Sequence, residues 1–219
     1  MKTAIVIGAT GLIGGILVKI LLEDERYKLV KVFVRRPFGI IHPKLEEHIV
    51  SFAEIEKWKQ KINGDELFSA LGTTINKAGS KEAQYKIDVT YQYEFAKAAA
   101  ENGVSGYVLV SSSGANAKSK LFYMKIKGEL EEKVKLLPFK KIRIFRPSLL
   151  LGERSEKRFG EKAAERLLKI VAPLFPFLKN QRPIEGEKVA RAMIGSANET
   201  DTERTKIFGL QEIFSLADK

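Results

Sequence analysis

The chain has 219 residues, 44% of them hydrophobic and 30% charged, as expected of one soluble α/β domain with a sizeable core. It has no cysteine, which excludes a disulfide framework and a thiolate nucleophile or metal site; its two histidines, His42 and His48, read as surface residues rather than metal ligands. The net charge of +11 raises the question of nucleic acid, but the basic run from Lys118 to Arg143, nine Lys/Arg against three Glu, carries neither interleaved aromatics nor a recognition-helix module. It reads as a solvated surface that also attracts an anionic ligand, and nucleic acid is not an expected partner.

The first seventeen residues organise the rest. Lys2-Thr3-Ala4-Ile5-Val6-Ile7 is a short apolar, β-branched strand, and Gly8-Ala9-Thr10-Gly11-Leu12-Ile13-Gly14 is a glycine-punctuated turn. Leu12, Ile16, Leu17 and Ile20 then recur at helical spacing. Glycine serves where backbone bends sharply or approaches a ligand, and the free N–H groups and dipole of a helix start attract phosphate. A dinucleotide pyrophosphate over Thr10, Gly11, Leu12 and Ile13 satisfies both conditions. Position 9 is Ala, so the spacing is Gly-x-x-Gly-x-x-Gly.

Glu23 to Arg26 ends the first helix, and Leu29 to Val34 is a second, nearly continuous apolar strand suited to a buried parallel sheet. Its tip is Arg35-Arg36-Pro37. A carboxylate there would hold a ribose 2′-hydroxyl; two guanidinium groups suit a 2′-phosphate instead, which points to NADP(H). His48 to Phe52 reads as the third strand, Glu54 to Lys61 as a short helix, and Asp65 to Ala70 as the fourth strand, ending in Leu71-Gly72-Thr73-Thr74. Gly72 lets backbone approach a ligand crevice; Thr73 and Thr74 either bond phosphate or ribose or cap a turn. Ser80 caps a helix running through Tyr85, Val89 and Tyr93 to Glu101, and Asn102-Gly103 ends it.

Gly106 to Val110 is the fifth strand, and it delivers Ser111-Ser112-Ser113-Gly114. Tyr123 and Lys127 follow, four apart on one helical face. A free tyrosine titrates near pH 10, roughly, and a neighbouring ammonium favours its phenolate, which makes Tyr123 an acid–base candidate with Lys127 as its tuning and ribose-holding partner. A serine hydroxyl stabilises charge on a substrate carbonyl; Ser112 is the choice and Ser111 the fallback. Tyr93 and Lys97 repeat the spacing without a serine strand end upstream, so that copy reads as structural.

Lys141 to Phe145 is the sixth strand, followed by Arg146-Pro147. The glycine loop, Arg35-Arg36, Leu71 to Thr74, Ser111 to Ala115, Tyr123/Lys127 and Arg146-Pro147, in this order, resemble the Tat-interacting-protein-like branch of the atypical short-chain dehydrogenase/reductases over residues 1 to about 198. The resemblance implies a Rossmann-type fold, NADP(H) and a Ser/Tyr/Lys site, with Leu150 and Arg158 near the cofactor crevice. Expected is one doubly wound domain: residues 1–146 form the cofactor-binding core, with Gly8 and Gly14 in its loop, and residues 147–219 a small substrate-side lobe. Glu161 to Leu178 reads as an amphipathic helix with an apolar end at 167–178, too short and proline-broken to span a bilayer, that covers a substrate pocket, forms an interface or touches a membrane surface. Gly186 opens another helix, and Thr205 to Leu210 is a late edge strand. The functional expectation is reduction of a small-molecule carbonyl; the alternatives are a non-catalytic NADP(H)-binding regulator with a protein partner and a nucleotide-sugar epimerase. The sequence carries no signature of oligomeric state. With no cleavable apolar leader before the first strand, the expected location is cytoplasmic.

Overall fold

The computed structural model describes residues 1–151 and 182–217. Arg158 and the 161–178 segment, with its apolar end at 167–178, lie outside the described residues.

Seven parallel strands form one sheet: β1 (Lys2–Ile7), β2 (Tyr27–Val34), β3 (Leu45–Ile49), β4 (Glu66–Ser69), β5 (Gly106–Val110), β6 (Lys141–Phe145) and β9 (Thr205–Phe208). Their spatial order is β3-β2-β1-β4-β5-β6-β9, so the chain runs outward from β1 to one edge, returns, and builds the other half from β4. This is the doubly wound Rossmann-type arrangement expected from the sequence, and its switch point lies between β1 and β4. The helices are α1 (Leu12–Glu23), the short α2 (Ile75–Ala78) and α3 (Lys81–Tyr85), α4 (Gln92–Glu101), α5 (Phe122–Lys135), α6 (Gly186–Asn198) and α7 (Leu210–Ala217). A two-stranded ribbon pairs β7 (Leu150–Leu151) with β8 (Ile184–Glu185).

Strand alternation sorts the core into two layers. Ala4, Val6, Val30, Val32, Phe68, Val108 and Phe145 pack on α1 and α6 through Leu17, Val18, Leu21, Val189 and Met193. Ile5, Ile7, Phe33, Leu67, Leu109 and Ile144 pack on α4 and α5 through Phe95, Ala96, Leu130 and Val134. Of the C-terminal residues, β9 extends the main sheet beside β6 and α6 lies in the first of these layers.

Three elements differ from the sequence expectation. The third strand is Leu45–Ile49, not His48 to Phe52: an edge strand open on one side tolerates the polar Glu46-Glu47-His48, which hides it from an apolar-run reading, while Phe52 turns inward onto Trp58 and Phe95. The stretch 54–61 forms two 3₁₀ turns, Phe52–Lys57 and Lys59–Lys61, rather than one helix. The helix after Ser80 is interrupted by a π-helical turn at Lys86–Tyr91. Ser80 does cap it, accepting from the Ala83 N–H at 3.1 Å.

Candidate active site

The carboxyl ends of β1, β4, β5 and β6 lie side by side along one edge of the sheet, with the switch point between β1 and β4. Gly8 leaves β1 at φ +80°, and a side chain there would meet the Ala70 carbonyl and the Leu71 nitrogen at 2.4–2.5 Å, so backbone from β1 and β4 touches directly. Gly14 lies under the Gly8 carbonyl, where a Cβ would come within 2.1 Å. The Gly11 N–H closes the loop on the Gly8 carbonyl at 2.9 Å. Thr10 and Gly11 are exposed on its crest, Leu12 is half-buried, and Ile13 is in the core. Gly11 occupies the N-cap position of α1 with no side-chain cap, so the first amides of the helix have no side-chain acceptor there. Arg35 and Arg36 stand exposed at the tip of β2. Nearby Glu47 accepts the Phe38 N–H at 2.6 Å.

At the end of β4, Leu71 is half-buried and Gly72 exposed. The Thr73 peptide is gripped from both sides: its N–H donates to Asp88 Oδ1 at 2.7 Å and its carbonyl accepts from Gln84 Nε2 at 3.0 Å. Thr74 is the cap residue of α2, its hydroxyl 3.4 Å from the Lys77 N–H. Lys127, on α5, is 5% exposed, and its Nζ lies 3.4 Å from Asp88 Oδ2. A methyl at Gly72 would stand 3.6 Å from that ammonium. Tyr123, one turn earlier, has its ring centroid 5.8 Å from Lys127 Nζ. Burial alone would weaken the Lys127 ammonium, but the Asp88 carboxylate overrides it, with help from Tyr123 and Glu131, and the lysine pKa is raised.

The serine run divides. Ser111 is buried and its hydroxyl donates to Glu131, a fully buried carboxylate that also takes two bonds from Arg146. Ser112 is half-buried, and its hydroxyl reaches only the Ser113 carbonyl at the long distance of 3.3 Å among the described hydrogen bonds. Leu150 is half-buried in the β7–β8 ribbon. The Tyr93–Lys97 pair is elsewhere: Tyr93 packs on the second core layer with the Lys133 ammonium over its ring, and Lys97 is exposed, 4.0 Å from Glu101.

Sequence reading missed Asp88, Gln84 and Gln92. Gln92 donates to the Asp88 carbonyl at 2.7 Å, which satisfies an acceptor in the π-helical turn, and accepts from Ser69 at 2.6 Å. The available signal was three polar residues on the buried side of an otherwise amphipathic helix. Among the described residues no cluster of His, Asp or Glu is suited to a metal ion, and no helix is long and apolar enough to cross a membrane.

Fold and glycine cradle together are those of the Rossmann-type dinucleotide-binding class. The profile of the NAD dependent epimerase/dehydratase family matches residues 4–162, and the chain belongs to that family. It is 37% identical to "Protein FMP52, mitochondrial" of Debaryomyces hansenii over 207 residues, 92% of this chain and 90% of the relative. It is 42% identical to the Candida albicans protein of that name over 156 residues, 69% and 68% of the two chains. Among solved structures, the UDP-N-acetylglucosamine 4-epimerase of Methanobrevibacter ruminantium, in complex with UDP-N-acetylmuramic acid, superposes with a TM-score of 0.69 at 17% identity, over 95% of this chain and 76% of that one. The Bordetella bronchiseptica enzyme WbmH, in complex with NAD⁺, gives 0.71 at 15% identity over 96% and 75%. These structures share the fold. The resemblance read from the sequence therefore holds at the level of the superfamily; the relatives bear no Tat-interacting-protein name.

The cytoplasmic expectation is overturned. Relatives from Debaryomyces hansenii, Scheffersomyces stipitis and Eremothecium gossypii are all named mitochondrial. The expectation treated the lack of a secretory-type leader as a location, whereas such a leader bears on one export route only.

Proposed function

We propose that this protein is an NADP(H)-dependent reductase of the atypical short-chain dehydrogenase/reductase type, nearest in pattern to the Tat-interacting-protein-like branch, acting on a carbonyl of a small molecule. The observation that carries this reading is the buried Lys127 ammonium between Gly72 and Asp88, one helical turn from Tyr123, at the end of the strand beside the glycine cradle. A dinucleotide fits the residues present: Gly8 and Gly14 let the loop pack tightly on its own backbone, where any side chain would collide, and the Gly11 N-cap leaves the α1 amides for phosphate.

Arg35 and Arg36, exposed at the tip of β2, would hold a 2′-phosphate through charge-assisted bonds. The loop from Thr10 to Ile13 would lie along the pyrophosphate, with Leu71, Gly72 and Thr73 beside the ribose; Leu150, and by the family resemblance Arg158, are proposed to contact the cofactor. The cofactor, when bound, supplies or accepts hydride. Ser112 orients the carbonyl oxygen, since Ser111 is already committed to Glu131. Tyr123 gives its hydroxyl proton to that oxygen, and Lys127, with one ammonium, stabilises the phenolate left behind and holds the ribose. We place the protein in mitochondria, with its named relatives.

Family membership and the solved epimerases favour a second reading, a nucleotide-sugar epimerase that keeps NAD bound and returns the hydride to the same substrate. One experiment separates the readings. The purified protein is analysed by mass spectrometry for retained cofactor, titrated with NADPH and NADH, and screened for NADPH oxidation over aldehydes, ketones and quinones. The reductase reading expects tighter NADPH binding and oxidation with at least one carbonyl. Retained NAD with sugar-nucleotide interconversion supports the epimerase. NADPH binding without turnover of any carbonyl supports a regulator.

A further inference from the structure

Asp88 is the most unusual residue in the described structure. It is a carboxylate with no solvent exposure, in a π-helical turn between α3 and α4, and the Tyr123/Lys127 scheme makes no use of it. π-Turns of this kind cost regular hydrogen bonding and recur where a side chain must be placed at a site. Here the turn is supported on both sides: Gln84, four residues before Asp88, binds the Thr73 carbonyl, and Gln92, four residues after it, binds the Asp88 carbonyl and Ser69. The two carboxylate oxygens do different work. Oδ1 accepts the Thr73 N–H, and Oδ2 accepts no hydrogen bond of normal geometry from the described residues but stands 3.4 Å from Lys127 Nζ.

We propose that Asp88 is a positioning residue that ties Lys127 to the β4 strand end, one oxygen holding the Thr73 amide and the other the ammonium. The proposal rests on the reading of Lys127 as the lysine of the site. Its physical content is a counter-charge. An isolated buried ammonium loses its proton readily, because burial disfavours charge, and a neutral amine would hold neither a phenolate nor a ribose hydroxyl as a cation does. The titratable groups around Lys127 are Asp88 from the π-turn, Tyr123 one turn back, and Glu131 one turn on. Glu131 is already neutralised by the two Arg146 bonds from the end of β6. The β4 end presents only the Gly72 and Thr73 backbone. Asp88 is therefore the one uncommitted negative partner of the ammonium among the described groups. An ammonium carries three donors, so one turned towards Asp88 leaves two for a ligand.

Asp88→Asn is the informative variant, because an amide oxygen preserves the acceptor for Thr73 while the charge is lost and the oxygen that faced the ammonium becomes an NH2 donor. The full chain, without added cofactor, is labelled with ¹⁵N-lysine, and the Lys127 Nζ resonance, assigned with Lys127→Arg, is followed against pH. In the unmutated protein Lys127 should stay protonated past 10.5, the ordinary lysine value. In Asp88→Asn its midpoint should fall by about 1–3 pH units, the size of effect expected from one close opposite charge. NADPH affinity of the variant should weaken at pH 9 more than at pH 6.5. An unmoved midpoint in a folded Asp88→Asn would overturn the proposal. If the variant does not fold, the unmutated protein decides: a Lys127 midpoint below 10.5 means that no counter-charge holds the ammonium. Failure of every carbonyl substrate would sink the reductase reading and leave this titration untouched.

Discussion

The two ends of the sheet each hold a lysine–carboxylate cluster, and they are built differently. At the amino ends, Glu66 accepts Lys2 at 2.5 Å and the Tyr27 hydroxyl at 2.5 Å; Asn198 donates to that hydroxyl at 2.9 Å and accepts Lys2 at 2.8 Å. The ring closes on itself and ties α6 to β1, β2 and β4. Burial, with Glu66 beside it, pushes the Tyr27 phenol far above its usual range, so this hydroxyl is a fixed donor. At the carboxyl ends, the Asp88–Lys127 pair stands at 3.4 Å, Asp88 Oδ2 accepts no regular hydrogen bond from the described residues, and the ammonium lies against Gly72. A closed network returns its full energy to folding. An open one leaves donors for a ligand and places less of its energy in the apo fold. The same residue types therefore serve stability at one end and, on the reading above, chemistry at the other.

The largest difference between the two ends is expected at Tyr123. Tyr123→Phe should leave thermal stability and NADPH affinity near normal and lower kcat about 10²–10⁴-fold, the usual contribution of a positioned acid. Unchanged turnover would remove Tyr123 from the chemistry. Next in size is the cofactor tip. Arg35→Ala and Arg36→Ala should each weaken NADPH binding by about 1.5–3 kcal/mol, as expected for hydrogen bonds to a charged group, while sparing NADH. Equal affinity of the unmutated protein for the two cofactors, measured by calorimetry, would refute the assignment.

At the closed end, Tyr27→Phe should cost about 1–3 kcal/mol of stability in denaturant unfolding, because Glu66 and Asn198 each lose a buried partner, and should not change cofactor affinity. A cofactor effect there would mean that the two networks are coupled through the sheet. The smallest effect is expected at Tyr93→Phe, where turnover should match the unmutated protein within error. Loss of activity in a folded Tyr93→Phe would show that the wrong tyrosine has been chosen.

Most of the parallel strands were legible in the sequence because each is a short apolar run ended by polar residues or a glycine turn, and β1 with its glycine loop was legible to the residue. β3 was not, since an edge strand has one neighbour and needs no apolar run. Tyr123, Lys127 and Ser112 could be proposed from spacing and order. The engagement of Ser111 by Glu131, twenty residues away in sequence, could not be read there, because it needs the fold to bring the two together.

The sequence by itself therefore determined the alternation of strand and helix, the glycine cradle, the basic tip of β2 and the absence of cysteine chemistry. These are local properties, set by backbone freedom, side-chain period and residue type. Only the tertiary structure decided which charges face each other. Asp88 and Lys127 are thirty-nine positions apart, on separate helical segments, and meet because both segments pack on the same face of the sheet above the end of β4. Buried electrostatics depends on distances of a few ångströms and on exclusion of water, and neither exists until the chain is folded.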